Sequence, residues 1–548
     1  MGGSERIAAG VLTDTERAAV RATVFAHLAG IVMVPTVSAL SQGGVLEWLT
    51  GAPDGVRFGD LVEQAHANPG YLRVALRLLT ACGWLGDRRE SDGTRRYALT
   101  PEGRAALALA QPLYRRLTSS FLDKALALDA FLAAPADEPF IASVADLVTL
   151  ARSGWGVASD APAHERVRAH LDGLLVGPAM VALARGGMFE RLADETLDLR
   201  SLSSHAAGVG CLFDLLSAAG WVERSGSIVR LTARGRYAAQ IASAYGVTVS
   251  YLPMFAVLPT LLFGNARIPR VDPNGFETMV NRAMNVWGSG GAHTTYFRKL
   301  DEIVVDIFNR PIAEQPRGIC DMGCGDGTLL AHLYAVVRER TGRGRELDAH
   351  PLLLVGADFN KVARRATKQT LRAARIPAFH VIPGDINRPA QLASDLEKID
   401  LDVHDLLHIR SFLDHNRPYV PLSNYAAGSR TPSTTGAFAY LGDEIPADEL
   451  EENLVRHLRR WKPYVGRFGL LVLELHTLPP ALTAAHLERT PTVAYDATHG
   501  FSDQYLVELP VFAQCAREAG LQADPRWQAK FPPSELATVS LNYFTTAN

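Results

Sequence analysis

The sequence predicts an α/β protein: a mainly helical, internally repeated N-terminal region, then a C-terminal parallel sheet with helices on both faces. Three observations carry this. Two segments of the first half share one residue pattern, strands alternate with helices from about residue 294, and a glycine-rich turn joins the first of those strands to a helix. At roughly 150 residues per domain, 548 residues hold about three or four domains. Apolar residues make up 47% and charged residues 21%, an ordinary globular composition that excludes disordered and fibrous classes. The formal charge of −3 offers no excess basicity for a polyanion, so nucleic acid is not an expected partner.

The first repeat copy runs Gly43-Gly-Val-Leu-Glu-Trp-Leu, Leu79-Thr-Ala-Cys-Gly-Trp-Leu and Tyr97-Ala-Leu-Thr-Pro-Glu-Gly-Arg. The second runs Gly186-Gly-Met-Phe-Glu-Arg-Leu, Leu216-Ser-Ala-Ala-Gly-Trp-Val and Val229-Arg-Leu-Thr-Ala-Arg-Gly-Arg. Each reads as apolar helices, a Gly-Trp turn and a short strand pair ending in a Thr-started helix, the pattern of a winged helix. The helices before the Gly-Trp turns, Tyr71 to Ala81 and Cys211 to Ala219, are mostly apolar, which favours a dimerisation or substrate-covering module. Arg73, Arg77, Arg88, Arg89, Arg95 and Arg96 sustain the alternative of a DNA-binding regulator. The expected divisions are 1–112 for the first unit, 113–247 for a helical connector and the second unit, 248–293 for a linker or helical lid, and 294–548 for the catalytic domain. A homodimer is compatible with this layout.

The longest apolar stretch, Val249 to Phe263, is broken by Pro253 and Pro259 and falls short of the roughly 20 residues that span a bilayer. No membrane helix is expected, and the N-terminus lacks the pattern of a secretory signal. Five scattered cysteines argue against a disulfide framework, so a cytoplasmic location is expected.

In the C-terminal half the expected strands are Gly318 to Met322, Leu352 to Ala357, Ala378 to Pro383, Leu401 to Leu407 and Phe468 to Leu475. The expected helices are Thr328 to Arg340, Lys361 to Ala374, Pro389 to Leu396 and Ala447 to Trp461. An insertion at 421–446, rich in Gly, Ser, Thr and Pro, predicts a lid or a disordered segment.

Gly318-Ile-Cys-Asp-Met-Gly-Cys-Gly-Asp-Gly-Thr-Leu-Leu is a strand, a glycine turn and a helix start, where backbone approaches a ligand closely and offers unpaired N–H groups. Asp321 ends that strand before Gly323 and Gly325, and Asp358 ends the next, where a carboxylate accepts ribose hydroxyls. Gly384-Asp385-Ile386 follows the third strand, placed for an adenine amine. Asp321-Met-Gly-Cys-Gly-Asp-Gly resembles motif I of the class I S-adenosylmethionine-dependent methyltransferases, over about residues 290–548. The resemblance implies a Rossmann-like domain binding S-adenosylmethionine through Asp321, Gly323, Gly325, Asp358, Phe359, Gly384, Asp385 and Ile386. Cys320 and Cys324 read as packing residues.

The repeated units resemble the N-terminal modules of small-molecule O-methyltransferases, whose fourth strand ends in a His-Asp pair with the histidine as general base. Here the order is reversed, Asp414-His415, which weakens an O-methylation reading with His415 as base. Ala494-Tyr-Asp-Ala-Thr-His499-Gly-Phe-Ser-Asp-Gln504 lies in the loop region expected after Glu474-Leu-His476. Asp414, His415 and His499 form a carboxylate and two-imidazole set suited to Fe(II) or Mn(II), with Gln504 as a fourth ligand. His415 and His499 are then the catalytic residues. His404, His408 and His476 read as structural, and Tyr440 and Arg410 as substrate contacts.

Asn285-Val-Trp-Gly-Ser-Gly-Gly-Ala-His293, Asp-His-Asn-Arg-Pro from Asp414, and the His499 string together resemble the iron-dependent C-methyltransferases of natural-product assembly, including polyketide synthase loading modules. That resemblance implies metal-assisted methylation of the acidic carbon of a malonyl-like acyl thioester, a β-dicarbonyl or a keto acid, with the acyl group borne on the phosphopantetheine arm of an acyl carrier protein. The basic run Lys361 to Arg375 is a candidate face for steering an acidic carrier.

Overall fold

A computed structural model describes residues 12–546 apart from 133–137, 159–160, 193–195, 275, 291–292 and 427. Two positions of the string ending at His293 therefore lie outside the described residues. The chain forms two compact units: one takes in Met1–Ala292, Leu441–Glu444 and Pro479–Ser502, the other His293–Tyr440, Ile445–Leu478 and Asp503–Asn548.

In the first unit each repeat copy builds a three-stranded antiparallel wing, from Val56–Arg57, Leu85–Arg89 and Arg95–Leu99, and from Leu197–Asp198, Val222–Ser225 and Ile228–Leu231. The Thr-x-x-Gly element does the same two jobs in both. Thr100 and Thr232 cap the helices Pro101–Ala125 and Ala233–Gln240, accepting the N–H of Gly103 and Gly235 at 2.9 and 3.0 Å. A Cβ on those glycines would stand 2.0 Å from the carbonyl oxygen of buried Trp84 and 1.9 Å from that of buried Trp221. We expect Gly103→Ala and Gly235→Ala each to destabilise the unit by about 1–3 kcal/mol, the usual cost of overpacking. Unchanged thermal unfolding in both variants would contradict this contact.

The repeat begins earlier than the Gly43 pattern suggests. The segment read as a connector holds the helix Pro162–Arg185, the counterpart of Asp14–Gln42, and the two cross closely: a Cβ on Gly30 would be 2.2 Å from the His170 carbonyl oxygen, and one on Gly173 2.3 Å from that of His27. His27 Nδ1 bonds the Tyr245 hydroxyl at 2.8 Å and its ring lies 5.3 Å from Trp221; His170 Nδ1 bonds Tyr114 at 2.8 Å and its ring lies 5.7 Å from Trp84. Each copy's first-helix histidine thus serves the tryptophan and tyrosine of the other copy. Burial holds both imidazoles down to about 3, so they are neutral hydrogen-bonding groups.

These crossing helices also correct the expectation about apolar segments. Asp14–Gln42 and Pro162–Arg185 are long and apolar enough to cross a membrane by length and composition, which Val249 to Phe263 is not; 78% of each apolar window is buried within the protein, as in core helices. The helix Pro69–Ala81, which would read DNA in a nucleic-acid-binding winged helix, is covered. Arg73 and Arg77 are each 4% exposed, Arg77 Nε pairs with Asp496 at 2.9 Å and Arg73 bonds the Tyr97 hydroxyl. That burial counts against the DNA-binding alternative.

The second unit is an eight-stranded sheet. Its strands are β1 (Gly318–Met322), β2 (Leu353–Asp358), β3 (Phe379–Pro383), β4 (Leu406–Ser411), β5 (Leu470–Leu475), β6 (Leu521–Ala523), β7 (Ala529–Phe531) and β8 (Val539–Thr546), and they lie in the order β6-β8-β5-β4-β1-β2-β3 with β7 paired to β8. Helices α1 (Thr328–Arg340), α2 (Lys361–Ala373), α3 (Pro389–Glu397), α4 (Ala447–Trp461) and α5 (Leu509–Glu518) connect them. Alternate residues of β1 feed two cores: Ile319 packs with Leu330, Leu354 and Leu407, while Cys320 and Met322 pack with Val355, Leu454 and Leu458. This is the doubly wound, Rossmann-like arrangement.

Three expectations change here. The sheet is mixed, because β8 runs antiparallel to β5, with Ser540 opposite Glu474. The fourth strand begins at Leu406 and not Leu401, since the Asp402 side chain accepts the His404 N–H at 2.9 Å and turns Val403–Asp405 into a 3-10 helix. Nor is the 421–440 stretch a loose lid. Buried Glu451 accepts the N–H groups of Ser433 and Thr434 at 2.7 Å each and pairs with Arg430 at 2.7 Å; Glu508 accepts Thr434 Oγ1 at 2.7 Å and Thr435 N–H at 2.9 Å.

Candidate active site

The turn after β1 is shaped by three glycines with φ of +82°, +55° and +81° at Gly323, Gly325 and Gly327, a region costly for residues with a Cβ. At Gly323 a Cβ would press on Leu413 at 2.9 Å, and at Gly327 on Thr367 at 2.9 Å. At Gly325 nothing lies within 4 Å, so its strand-end face opens to space that a ligand can enter. Asp358 receives Gly325 N–H at 3.1 Å on Oδ2 and Asn360 N–H at 2.7 Å on Oδ1, which holds the carboxylate beside that turn. Phe359 next to it is 84% exposed, an apolar ring with nothing covering it. Asp385 accepts Asn387 N–H at 2.9 Å, and Gly384 packs so closely that a Cβ would stand 2.8 Å from that of Ala357.

Asp321 is the unsettled group. It is 2% exposed, and its Oδ1 has no hydrogen-bond partner. Burial first, and the nearby Asp358 charge second, push its carboxyl up to about 7. An orphaned buried acid two residues before an open glycine turn is what a cationic ligand would satisfy. Cys320 and Cys324 are buried free thiols whose ionisation burial pushes up; Cys324 Sγ touches Thr367 Oγ1 at 3.3 Å. In the basic run, Arg364 donates to the carbonyl oxygens of Asp358 and Phe359 at 2.7 and 2.8 Å, so this guanidinium braces the turn after β2.

Beyond β4 the chain turns at Phe412, φ +54°, past Leu413 on the glycine turn, and into Asp414 and His415. His415 Nδ1 bonds Glu474 Oε1 at the end of β5; Glu474 also accepts the backbone N–H groups of Asp414 at 2.7 Å, His415 at 3.3 Å and Leu475 at 2.7 Å. A carboxylate only accepts, so Nδ1 carries a proton, which leaves Nε2 as the ring nitrogen through which this imidazole can act as a base. Glu474, quoted within a string but assigned no role from the sequence, is therefore the orienting acid.

Asp414 is fully buried and takes Arg410 Nη1 at 2.8 Å and His457 Nε2 at 2.9 Å on Oδ1, while Oδ2 has no partner. Burial favours its neutral form, and Arg410 together with His457 outweighs it, holding the carboxyl below the ordinary range. Arg410 is itself buried, stacked 4.7 Å over Trp461, and so is an internal counter-ion and not the expected substrate contact. Arg417 donates to the Asp414 carbonyl oxygen at 2.9 Å and to Asn453 at 3.0 Å, pinning the turn.

Gln504 is half-buried and precedes Tyr505, whose N–H donates to the His415 carbonyl oxygen at 2.8 Å. His499 belongs to the first unit, on the helix Thr492–Gly500 where a loop was expected, and its Nδ1 donates to the Tyr495 carbonyl oxygen at 2.8 Å. That bond too puts a proton on Nδ1. His476 bonds Ser540 at 2.7 Å, His408 bonds the Val403 carbonyl oxygen at 3.0 Å and His404 stacks on Tyr464, all structural roles. Tyr440 packs on Tyr419, ring centres 5.2 Å apart. Among the described residues neither unit gathers three His, Cys, Asp or Glu side chains as a metal ion needs.

Three family models match the chain: the AprA N-terminal domain at residues 20–87, the AprA winged helix domain at 172–265 and the AprA MT2-like domain at 277–542. A 2-ketoarginine methyltransferase of Streptomyces arginensis is 26% identical over 210 residues, an alignment covering 37% of this chain and 58% of that relative. The chain thus spans less than two thirds of the curated relative it matches. Among solved structures, the mitomycin 7-O-methyltransferase MmcR is 14% identical with a TM-score of 0.40, covering 70% of this chain and 98% of its own. The CurJ carbon methyltransferase is 12% identical with a TM-score of 0.31, covering 74% and 96%. With three AprA models together spanning most of its length, this chain belongs to the AprA-like family of S-adenosylmethionine-dependent methyltransferases.

Proposed function

We propose that the enzyme methylates the carbon next to the carbonyl of a keto acid, with His415 as general base. The observation that carries this is the Glu474–His415 pair, held two residues beyond the Leu413 side chain that packs on the cofactor-type glycine turn. His415 Nε2 takes the proton from the carbon, the resulting enolate carbon attacks the methyl of S-adenosylmethionine, the methyl–sulfur bond breaks and S-adenosylhomocysteine leaves. Asp321 answers the cofactor's positive charge, Asp358 its ribose, Asp385 and Ile386 its adenine, with Phe359 covering the ring. The curated relative's name supports a 2-keto acid as acceptor. An acyl thioester on a carrier protein presents the same acidic carbon and falls within the reading.

Fe(II) or Mn(II) on Asp414, His415 and Gln504 of the second unit is a second reading, favoured by donor chemistry: Asp414 Oδ2 is buried without a partner, and His415 has Nδ1 anchored in the manner of a metal ligand. The donor types suit such an ion. Such an ion supplies Lewis acidity that makes the carbon easier to deprotonate. Elemental analysis beside the Gln504→Ala variant tests it: bound metal lost in the variant supports the ion, and full activity after exhaustive chelation removes it. The primary reading is tested by product analysis with 2-keto acids. A new carbon–methyl bond supports it, whereas a methyl ether would move the same His415 base to an oxygen acceptor.

A further inference from the structure

The polar network around Asp414 continues to the cofactor-side loop after β3. Asp385 accepts Asn387 N–H at 2.9 Å, the Asn387 side-chain oxygen lies 3.2 Å from His457 Nδ1, and His457 Nε2 lies 2.9 Å from Asp414 Oδ1. Four residues along α4, Trp461 Nε1 donates to the Ile386 carbonyl oxygen at 2.7 Å. One face of α4 therefore holds both the Gly384–Asn387 loop and the turn that carries the base. His457 is 0% exposed, with an acceptor oxygen facing each of its two ring nitrogens. A plain core position would take a hydrophobic side chain, whereas a buried imidazole with a polar partner at each nitrogen marks a position held for its hydrogen bonds.

We propose that His457 is a positioning residue that couples the Gly384–Asn387 loop to the Asp414–His415 turn, so that filling the adenine side of the cofactor site fixes the orientation of the base. The inference rests on His415 acting as base. The two imidazole nitrogens can be tested separately. His457→Gln places an amide nitrogen where Nε2 stands and keeps a donor to Asp414; His457→Asn reaches only the Nδ1 side.

The experiment measures kcat at saturating S-adenosylmethionine, cofactor Kd and thermal unfolding for both variants, alone and with Asn387→Ala. His457→Asn should lose about 10- to 100-fold in kcat, the usual effect of an orienting residue. Its Kd should move little, and His457→Gln should recover most of kcat. Asn387→Ala should lower kcat in the wild type but add nothing in the His457→Asn background. Equal kcat losses in Asn and Gln variants that track lost thermal stability would overturn the proposal, as would additive effects with Asn387→Ala or unchanged kcat throughout. His415→Ala runs beside them: retained turnover there overturns the base reading itself, a failure distinct from that of His457.

Discussion

His415→Ala should cut methyl transfer by about 10²–10⁴-fold while leaving the fold and S-adenosylmethionine binding in place. The side chain is nearly buried but makes its main bond through Nδ1 to Glu474, and Glu474 keeps three backbone N–H partners when the imidazole goes. A positioned general base contributes about 10²–10⁴ in rate. The expected signature is therefore a loss of that size in kcat with cofactor Kd unchanged, read by isotope-labelled methyl transfer and by calorimetry. Glu474→Gln should lose about as much, because both carboxylate oxygens accept N–H donors, so the amide NH2 must face one of them and either turns the imidazole to the wrong tautomer or loosens the turn that carries it. A His415→Ala enzyme with ordinary turnover would remove the base.

The second large effect falls on the cofactor. Asp321→Asn should weaken S-adenosylmethionine binding and also erase a pH dependence. In the empty protein burial and Asp358 hold the Asp321 carboxyl up near 7, so below that pH it is largely protonated. A cationic ligand favours the ionised form, so wild-type affinity should rise as pH rises through about 7, and the Asn variant should be flat over the same range. Stability moves the opposite way. The folded protein binds the proton more tightly than the unfolded chain, so ionising Asp321 costs stability as pH climbs from the ordinary carboxylate range to about 7, and above that the cost is constant. At pH 8 the cofactor-free Asn variant should melt higher than wild type. Equal cofactor affinities for the two proteins across pH 6–8 would show that the acid does not face the ligand.

The glycine turn was legible because its requirement is local: positive φ at Gly323, Gly325 and Gly327 leaves a trace in residue type that needs no knowledge of neighbours. The winged repeats were legible for the same reason, since a capping threonine and a contact glycine recur at fixed spacing. What escaped is long-range. Glu474 and His457 reach Asp414 and His415 only because β4 and β5 are adjacent and α4 packs over them, and nothing near either residue in sequence announces that. The antiparallel β8 lies beyond the last glycine-punctuated element, where alternation alone marks a strand. Pro162–Arg185 was read as a connector because its partner, Asp14–Gln42, lies outside the Gly-Trp pattern, and their equivalence shows only in the His27–Tyr245 and His170–Tyr114 bonds.

The most direct test of the account is deuterium exchange at the carbon next to the ketone of a 2-keto acid, followed by NMR in D2O with the enzyme and S-adenosylhomocysteine, where no methyl can be transferred. The account predicts enzyme-dependent exchange at that carbon in the wild type and its disappearance in His415→Ala. Exchange that persists undiminished in His415→Ala, or methylation of the acid by wild type with no exchange at all, would contradict a carbon-acid mechanism driven by the Glu474-oriented imidazole.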